Sequence, residues 1–195
     1  HIERIENYSK HLKLPLQPHR RSVYFFIYVI EGNAKRSKGL TAFEIKANSF
    51  FCLPADQITS LSYVSDDIKG YYCHFLPEIF NQALLKTSLI KDFDFFKITG
   101  NPIVDIKNQK RILTILKLLE EEYHLNDKSR FDLIPIYLTS LLKELELQTF
   151  EFLPRKNTAA QYLTERYKDL LMENIQSLKA VSEYAELLSV SPNHL

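Results

Sequence analysis

Val23 to Ile30, VYFFIYVI, is an unbroken run of β-branched and aromatic residues that ends at Glu31-Gly32-Asn33. Such side chains favour extended backbone, and Gly-Asn marks a turn. More runs of this kind follow. Thr41 to Ile45 alternates, Ser49 to Leu53 is closed by Pro54-Ala55-Asp56, and Ile58 to Val64 is parted from Ile68 to Phe75 by Ser65-Asp66-Asp67. Short strands at regular intervals imply a sandwich or small barrel, which we place over residues 1–102, with Pro102 as its end. The chain has only 4 glycines, so Asn33, Asn48 and Asp56 are expected to take some left-handed turn positions.

The pattern then changes period. Pro77 opens a short helix to about Thr87, and Phe93, Phe95 and Phe96 form an aromatic plug. Asn108 to Leu125 and Phe131 to Leu147 carry apolar residues at helical spacing. The polar loop Asp127-Lys128-Ser129 makes them an antiparallel pair over residues 103–149. Their stripes, Ile112, Ile115, Leu116 and Leu119 with Ile134, Leu138, Leu141 and Leu145, offer more apolar face than one barrel needs. The surplus predicts a homodimer seam. The competing reading is that both stripes cover the barrel.

Residues 150–157, FEFLPRKN, read as a linker. Thr158 to about Glu173 is amphipathic, with Asn174 as its end. Ser177 is expected to cap a further helix whose inward stripe is Val181, Tyr184, Ala185 and Leu188. A turn at Ser189-Val190 and a new start at Ser191-Pro192 complete a helix, turn and helix, the arrangement that seats a reading helix in a DNA major groove. Here AVSEYAELLSVSPNHL resembles the first helix-turn-helix of AraC/XylS-type transcription regulators at Ala185, Leu188, Val190, Ser191, His194 and Leu195. Ser189 stands where these turns commonly have glycine. Residues 158–195 would be the start of the DNA-binding domain, with Asn193 reaching a base edge and Ser191 and His194 nearer phosphates. From Arg155 to Leu195, five basic residues meet five acidic ones. The phosphate-binding charge is therefore expected beyond residue 195. The chain starts at His1 and stops within a helix, so it reads as a piece of a longer protein.

The β region carries a second resemblance. His19-x-Arg21, three residues, Phe25, six residues and Gly32 have the layout of the first cupin motif, H-x-H-x3-E-x6-G. Ala47 to Thr59 is similar to the strand-turn-strand that carries the second. Together they resemble the cupin-like effector domain of AraC-type regulators over residues 15–80. Arg21, Phe25 and Thr59 replace metal ligands of that layout, so neither metal nor cofactor is expected. Alternation places His19, Arg21, Val23, Phe25, Ile27 and Val29 on one inward strand face. His19, Arg21, Phe25, Thr59, Tyr72 and His74 are the candidate contacts of a small-molecule effector, a sugar or small acid, with Arg21 receiving its charge.

The resemblance thus implies an α+β chain: a cupin-like jelly-roll barrel, an antiparallel helix pair and the start of an all-α domain. Its implied task is ligand-responsive DNA binding by a dimeric cytoplasmic regulator that is not an enzyme. The net charge of +1 does not point to a wholesale nucleic-acid binder. Cys52 and Cys73, each within an apolar run, suit buried small hydrophobes in a reducing compartment. No run has membrane-spanning length, and no phosphate loop, zinc spacing or nucleophile elbow occurs. Two alternatives stand beside this reading: a metal-free cupin enzyme with His19 as base, and a dimerisation module with a filled barrel.

Overall fold

The computed structural model describes residues 1–83, 87, 89–125, 127–149 and 159–194. Two compact units divide it, His1–Glu151 and Phe152–Leu195. The linker read at 150–157, the helix start at Thr158, and Leu195 lie outside the described residues.

Nine strands build the first unit: β1 (Ile2–Arg4), β2 (Leu16–His19), β3 (Tyr24–Glu31), β4 (Ala34–Lys38), β5 (Thr41–Ile45), β6 (Ser49–Leu53), β7 (Thr59–Val64), β8 (Lys69–Phe75) and β9 (Ile103–Asp105). They form two antiparallel sheets, ordered β1-β8-β3-β6-β9 and β2-β7-β4-β5. The α+β architecture with a β-barrel-like body agrees with the sequence reading. Pro102, however, does not end the β region, since β9 follows it and pairs with β6.

The five-stranded sheet is buried on both faces, which explains why β3 reads as a continuous apolar run rather than an alternation. Phe25, Ile27, Val29, Phe51, Leu53 and Tyr72 face the second sheet and meet Ala34, Ile45 and Leu61 there. Phe26, Tyr28, Phe50, Cys52, Tyr71 and Cys73 face the other way, toward the helices and the aromatic plug. Both cysteines flank Phe26 across β3, and burial pushes both thiols up, that of Cys73 to about 12.

Turns follow the expectation at Asn48 (φ 65°) and Asp56 (φ 61°); at the β3–β4 turn Gly32 (φ 79°) takes the left-handed position instead of Asn33. Pro77 begins a 3-10 turn that runs to Ala83. The short helices α1 (Ile5–Tyr8) and α2 (Leu89–Asp92) precede the long pair α3 (Gln109–Leu125) and α4 (Leu133–Thr149). Arg130, in the α3–α4 loop, grips Glu122 through two hydrogen bonds and holds its carboxyl below the usual range.

The long helices correct the dimer-seam expectation. Ile112, Leu116, Leu119, Leu138, Leu141 and Leu145 are 0–2% exposed within this chain, and Ile115 and Ile134 pack half-buried beside them. Their stripe is consumed by the outer face of the five-stranded sheet. Periodicity reveals an apolar stripe but not which surface covers it.

The second unit holds α5 (Ala159–Asn174) and α6 (Val181–Leu187). Ser177 donates to the Asn174 carbonyl at the end of α5 rather than capping α6. The start of α6 is closed by Glu183, whose carboxylate accepts from the backbone N–H of Lys179 and Ala180 at 2.9 and 2.7 Å. Tyr184 and Ala185 are buried, but Val181 is exposed, against the expected stripe. Tyr184 meets Tyr167 of α5 edge to face at 5.7 Å and donates to the Leu178 carbonyl.

After α6 the chain turns through Ser189 at φ 55°, a conformation strained for a residue with a Cβ. Ser189→Gly should slow amide exchange in α6 about fivefold, the equivalent of about 1 kcal/mol; unchanged exchange would show that the turn bears no strain.

Candidate functional site

One end of the space between the sheets gathers the polar side chains. His19 ends β2 directly opposite Thr59 of β7, so the two share a face. Arg36 of β4 lies beside Leu61 of the same β7. Across from them, β3 and β8 supply Phe25 and Tyr72.

Arg36 is the centre of this group. The residue is 7% exposed, its Nε donates to Thr59 Oγ1 at 3.0 Å, and its guanidinium carbon stands 4.6 Å from the Phe25 ring centre. Thr59, fully buried, passes its own proton to the Ser37 carbonyl at 2.6 Å. Burial pulls the Arg36 pKa down to about 10, with the charge of Arg21 adding to the effect, so the group stays cationic at neutral pH. Among the described residues no carboxylate pairs with it, and its two Nη atoms have no hydrogen-bond acceptor. The next inward cation of β4, Lys38, is differently placed: its Nζ donates to the carbonyls of Lys97 and Gly100 at 2.6 and 2.7 Å.

Arg21 lies between β2 and β3, exposed along part of its length, and its Nη1 donates to Tyr72 Oη at 2.8 Å. Its carbonyl accepts from the Asp56 N–H, and the Asp56 carboxylate takes the Ser22 hydroxyl instead of the guanidinium. Tyr72 is stacked on Tyr8 at 5.9 Å and tilted against Phe25 at 6.0 Å, and burial raises its pKa. With Oη accepting from Arg21, its own hydroxyl proton remains to donate. His19 Nδ1 lies 2.9 Å from the Gln17 carbonyl. A carbonyl only accepts, so Nδ1 carries a proton, and in the neutral ring Nε2 is then an acceptor. That Nε2 is buried and has no partner.

Five of the six sequence-derived contacts therefore converge. The sixth, His74, shares its strand face with Tyr72, whose ring is 5.6 Å away, and also packs at 4.9 Å on His1. It also borders a crevice with Leu119, Tyr123 and Leu138 on the helix side. Burial, with the charges of the N-terminal amine and of Arg21 adding, lowers its pKa. The single inward face proposed for His19 to Val29 is corrected as well. His19 and Phe25 belong to opposite sheets, and Arg21 sits in the crossing between them. Phe25 serves as a wall packed in the core at 2% exposure.

Arg36 escaped the sequence reading altogether. Its strand, AKRSK, points Ala34, Arg36 and Lys38 inward, so apolar periodicity is absent. The available signal was positional: five residues between Gly32-Asn33 and Gly39, too short for anything but the first arm of a hairpin with Thr41–Ile45. Among the described residues no three His, Cys, Asp or Glu side chains cluster as metal ligands. In the second unit Ser191, Asn193 and His194 are all exposed, the last two within the 3-10 turn Pro192–His194.

Among solved structures, the AraC-like transcriptional activator CuxR is similar at 11% identity, with 90% of this chain and 59% of that chain covered and a TM-score of 0.43. ToxT from Vibrio cholerae in a 1.65 Å form is similar at 13% identity, covering 98% of this chain and 70% of that one, with a TM-score of 0.48. Wild-type ToxT bound to an unsaturated fatty acid gives 15% identity, 91% and 64% coverage and a TM-score of 0.45. The chain spans 59% of the CuxR chain and 65% of another ToxT chain. No curated protein matches it. Residues 6–133 match the family described as the AraC-like ligand binding domain. That match takes in more than half of the chain and all of the converging side chains, and the chain belongs to this family.

Proposed function

We propose that this chain is the effector-binding part of a ligand-responsive, sequence-specific transcription regulator of AraC type, joined in the longer protein to a complete DNA-binding domain. The observation that carries the ligand half of this reading is the convergence of Arg36, Arg21, Tyr72, Thr59 and His19 on one end of an apolar barrel. Apolar walls with a few convergent polar groups are the ordinary anatomy of a small-molecule site. The ToxT protein of two similar structures is bound to an unsaturated fatty acid or to a naphthalenyl butenoic acid, which is compatible with such a site accepting an organic acid.

The DNA half rests on α6, its turn and the exposed Asn193. In the mechanism we propose, a ligand in the barrel favours one placement of the DNA-binding domain over another, by population shift. A homodimer remains part of the proposal, but its contact must use outward side chains of α3 and α4 such as Leu125, Ile136 and Leu147, which are 44–60% exposed. No helix among the described residues is long and apolar enough to cross a membrane.

Binding of the full-length protein to a promoter duplex tests the reading. Asn193→Ala should weaken the specific complex about tenfold or more at fixed salt while leaving non-specific affinity nearly unchanged. A full-length protein without sequence preference would remove the regulator reading. The enzyme alternative, with His19 as base, would draw on the same bare Nε2 but leaves the second unit without a task.

A further inference from the structure

We propose that the barrel end around Arg36 is an anion site. It takes an organic oxyanion, a carboxylate or a phosphate monoester, whose charge is met by Arg36 and Arg21 and whose own hydroxyl or N–H donates to His19 Nε2. The inference rests on the effector reading and adds to it the chemical class of the ligand.

Three independent features lead there. First, Arg36 is buried, and among the described residues its partners are a neutral hydroxyl and an aromatic face. A guanidinium desolvated in this way is unfavourable unless an anion joins it, and the planar pair of Nη atoms left unused matches two oxygens of one oxyanion. Lys38 shows that this barrel can satisfy an inward cation with carbonyls when the role is structural; Arg36 is not treated so. Second, Arg21 brings another guanidinium to the same place by way of Tyr72, whose hydroxyl proton is free to donate to an oxyanion. Third, His19 Nε2 is a buried acceptor without a donor. Buried polar atoms are normally paired, and an oxyanion, which only accepts, does not pair with this nitrogen while the ring is neutral. A ligand that meets the neutral ring therefore carries a donor as well. Tyr8, stacked on Tyr72, and Phe25 supply flat apolar walls around these groups.

The test is thermal shift and titration calorimetry on the 195-residue chain with matched probes. 3-Hydroxybutyrate is set against 3-hydroxybutyramide, and glycerol 1-phosphate against glycerol. Each anion carries both the charge and a hydroxyl donor; each neutral partner keeps a hydroxyl but not the charge, the amide by exchange of one carboxylate oxygen for NH2 and glycerol by loss of the phosphate group. At least one anion should give a saturable rise in Tm, with affinity at least about tenfold above its neutral partner, and the pair that responds distinguishes carboxylate from phosphate. The response should vanish in Arg36→Met and fall strongly in Arg36→Lys, which keeps charge but loses the planar fork. Equal response to charged and neutral probes, an undiminished response in Arg36→Met, or silence toward both anions overturns the anion site. A neutral probe that stabilises wild type and Arg36→Met alike would sink this inference and leave the effector reading standing. Loss of DNA sequence preference in the full-length protein would sink the regulator reading without touching the anion response.

Discussion

Leu141→Ala should lower the stability of the chain by about 2–5 kcal/mol, and the loss should not depend on protein concentration. Leu141 is fully buried, in one cluster with Leu116, Leu119, Leu138 and the outward-facing Phe26, Tyr28 and Cys52 of the sheet. Removing its side chain leaves a cavity between a helix and a twisted sheet, where collapse is limited because each neighbour is itself fixed by packing. The effect separates two uses of the same stripe. A residue of a dimer seam would, on truncation, weaken association and give an unfolding midpoint that moves with concentration. A residue that covers its own sheet lowers the midpoint by the same amount at every concentration, whether or not the protein also dimerises through other side chains. Urea unfolding over a hundredfold concentration range reads the difference, and a concentration-dependent loss would return the stripe to an intermolecular role.

Gly70→Ala should be comparably severe, at about 3 kcal/mol or more. Gly70 lies in β8 opposite Val29 of β3. A Cβ there would run into the Tyr28 carbonyl oxygen and come within 3.1 Å of Ile5 Cδ1. The carbonyl belongs to the central strand and has no side chain to rotate away, so β8 must move, taking Tyr72 with it. Gly39→Ala is the matched control. Its φ is +60°, but its Cβ would meet only Gln57 Nε2 at 3.5 Å, so its loss should stay near about 1 kcal/mol. Equal losses in the two variants would mean that backbone conformation, and not the approach of β3, governs both positions.

Much of this arrangement was legible in the residues, for reasons that differ by element. Thr41–Ile45 and Ser49–Leu53 were readable to their ends, because apolar residues between turn formers leave little choice. The long helices were readable as helices, while their partner was not, since a stripe looks the same against a sheet or a second chain. β1, β2, β4 and β9 were missed for want of apolar alternation: IER, LQPH, AKRSK and IVD gain their strand state from neighbours rather than from propensity. The candidate site divides along the same line. His19, Phe25 and Thr59 came from the spacing of the cupin layout, and Tyr72 from alternation on β8. Arg21 was expected to be the buried charge and proved to be the partly exposed one, linked to Tyr72. Arg36, the deeper cation, sat in a strand with no apolar signature. Exposure at a single position is set by the fold around it, and a basic residue in a polar stretch reads as solvated until the opposite sheet is in place.

The measurement that bears most directly on the account is the melting of Arg36→Met without any ligand. Met has about the length of the arginine stem and carries no charge to desolvate. Thr59 keeps its bond to the Ser37 carbonyl, so the change orphans no buried donor. If Arg36 is held uncompensated for an anion that only a ligand supplies, the variant should be the more stable protein by about 1–4 kcal/mol, a rise in Tm of about 2–16 °C. A fall in Tm would show that Arg36 is a structural member of the barrel, and the site around it would lose its central group.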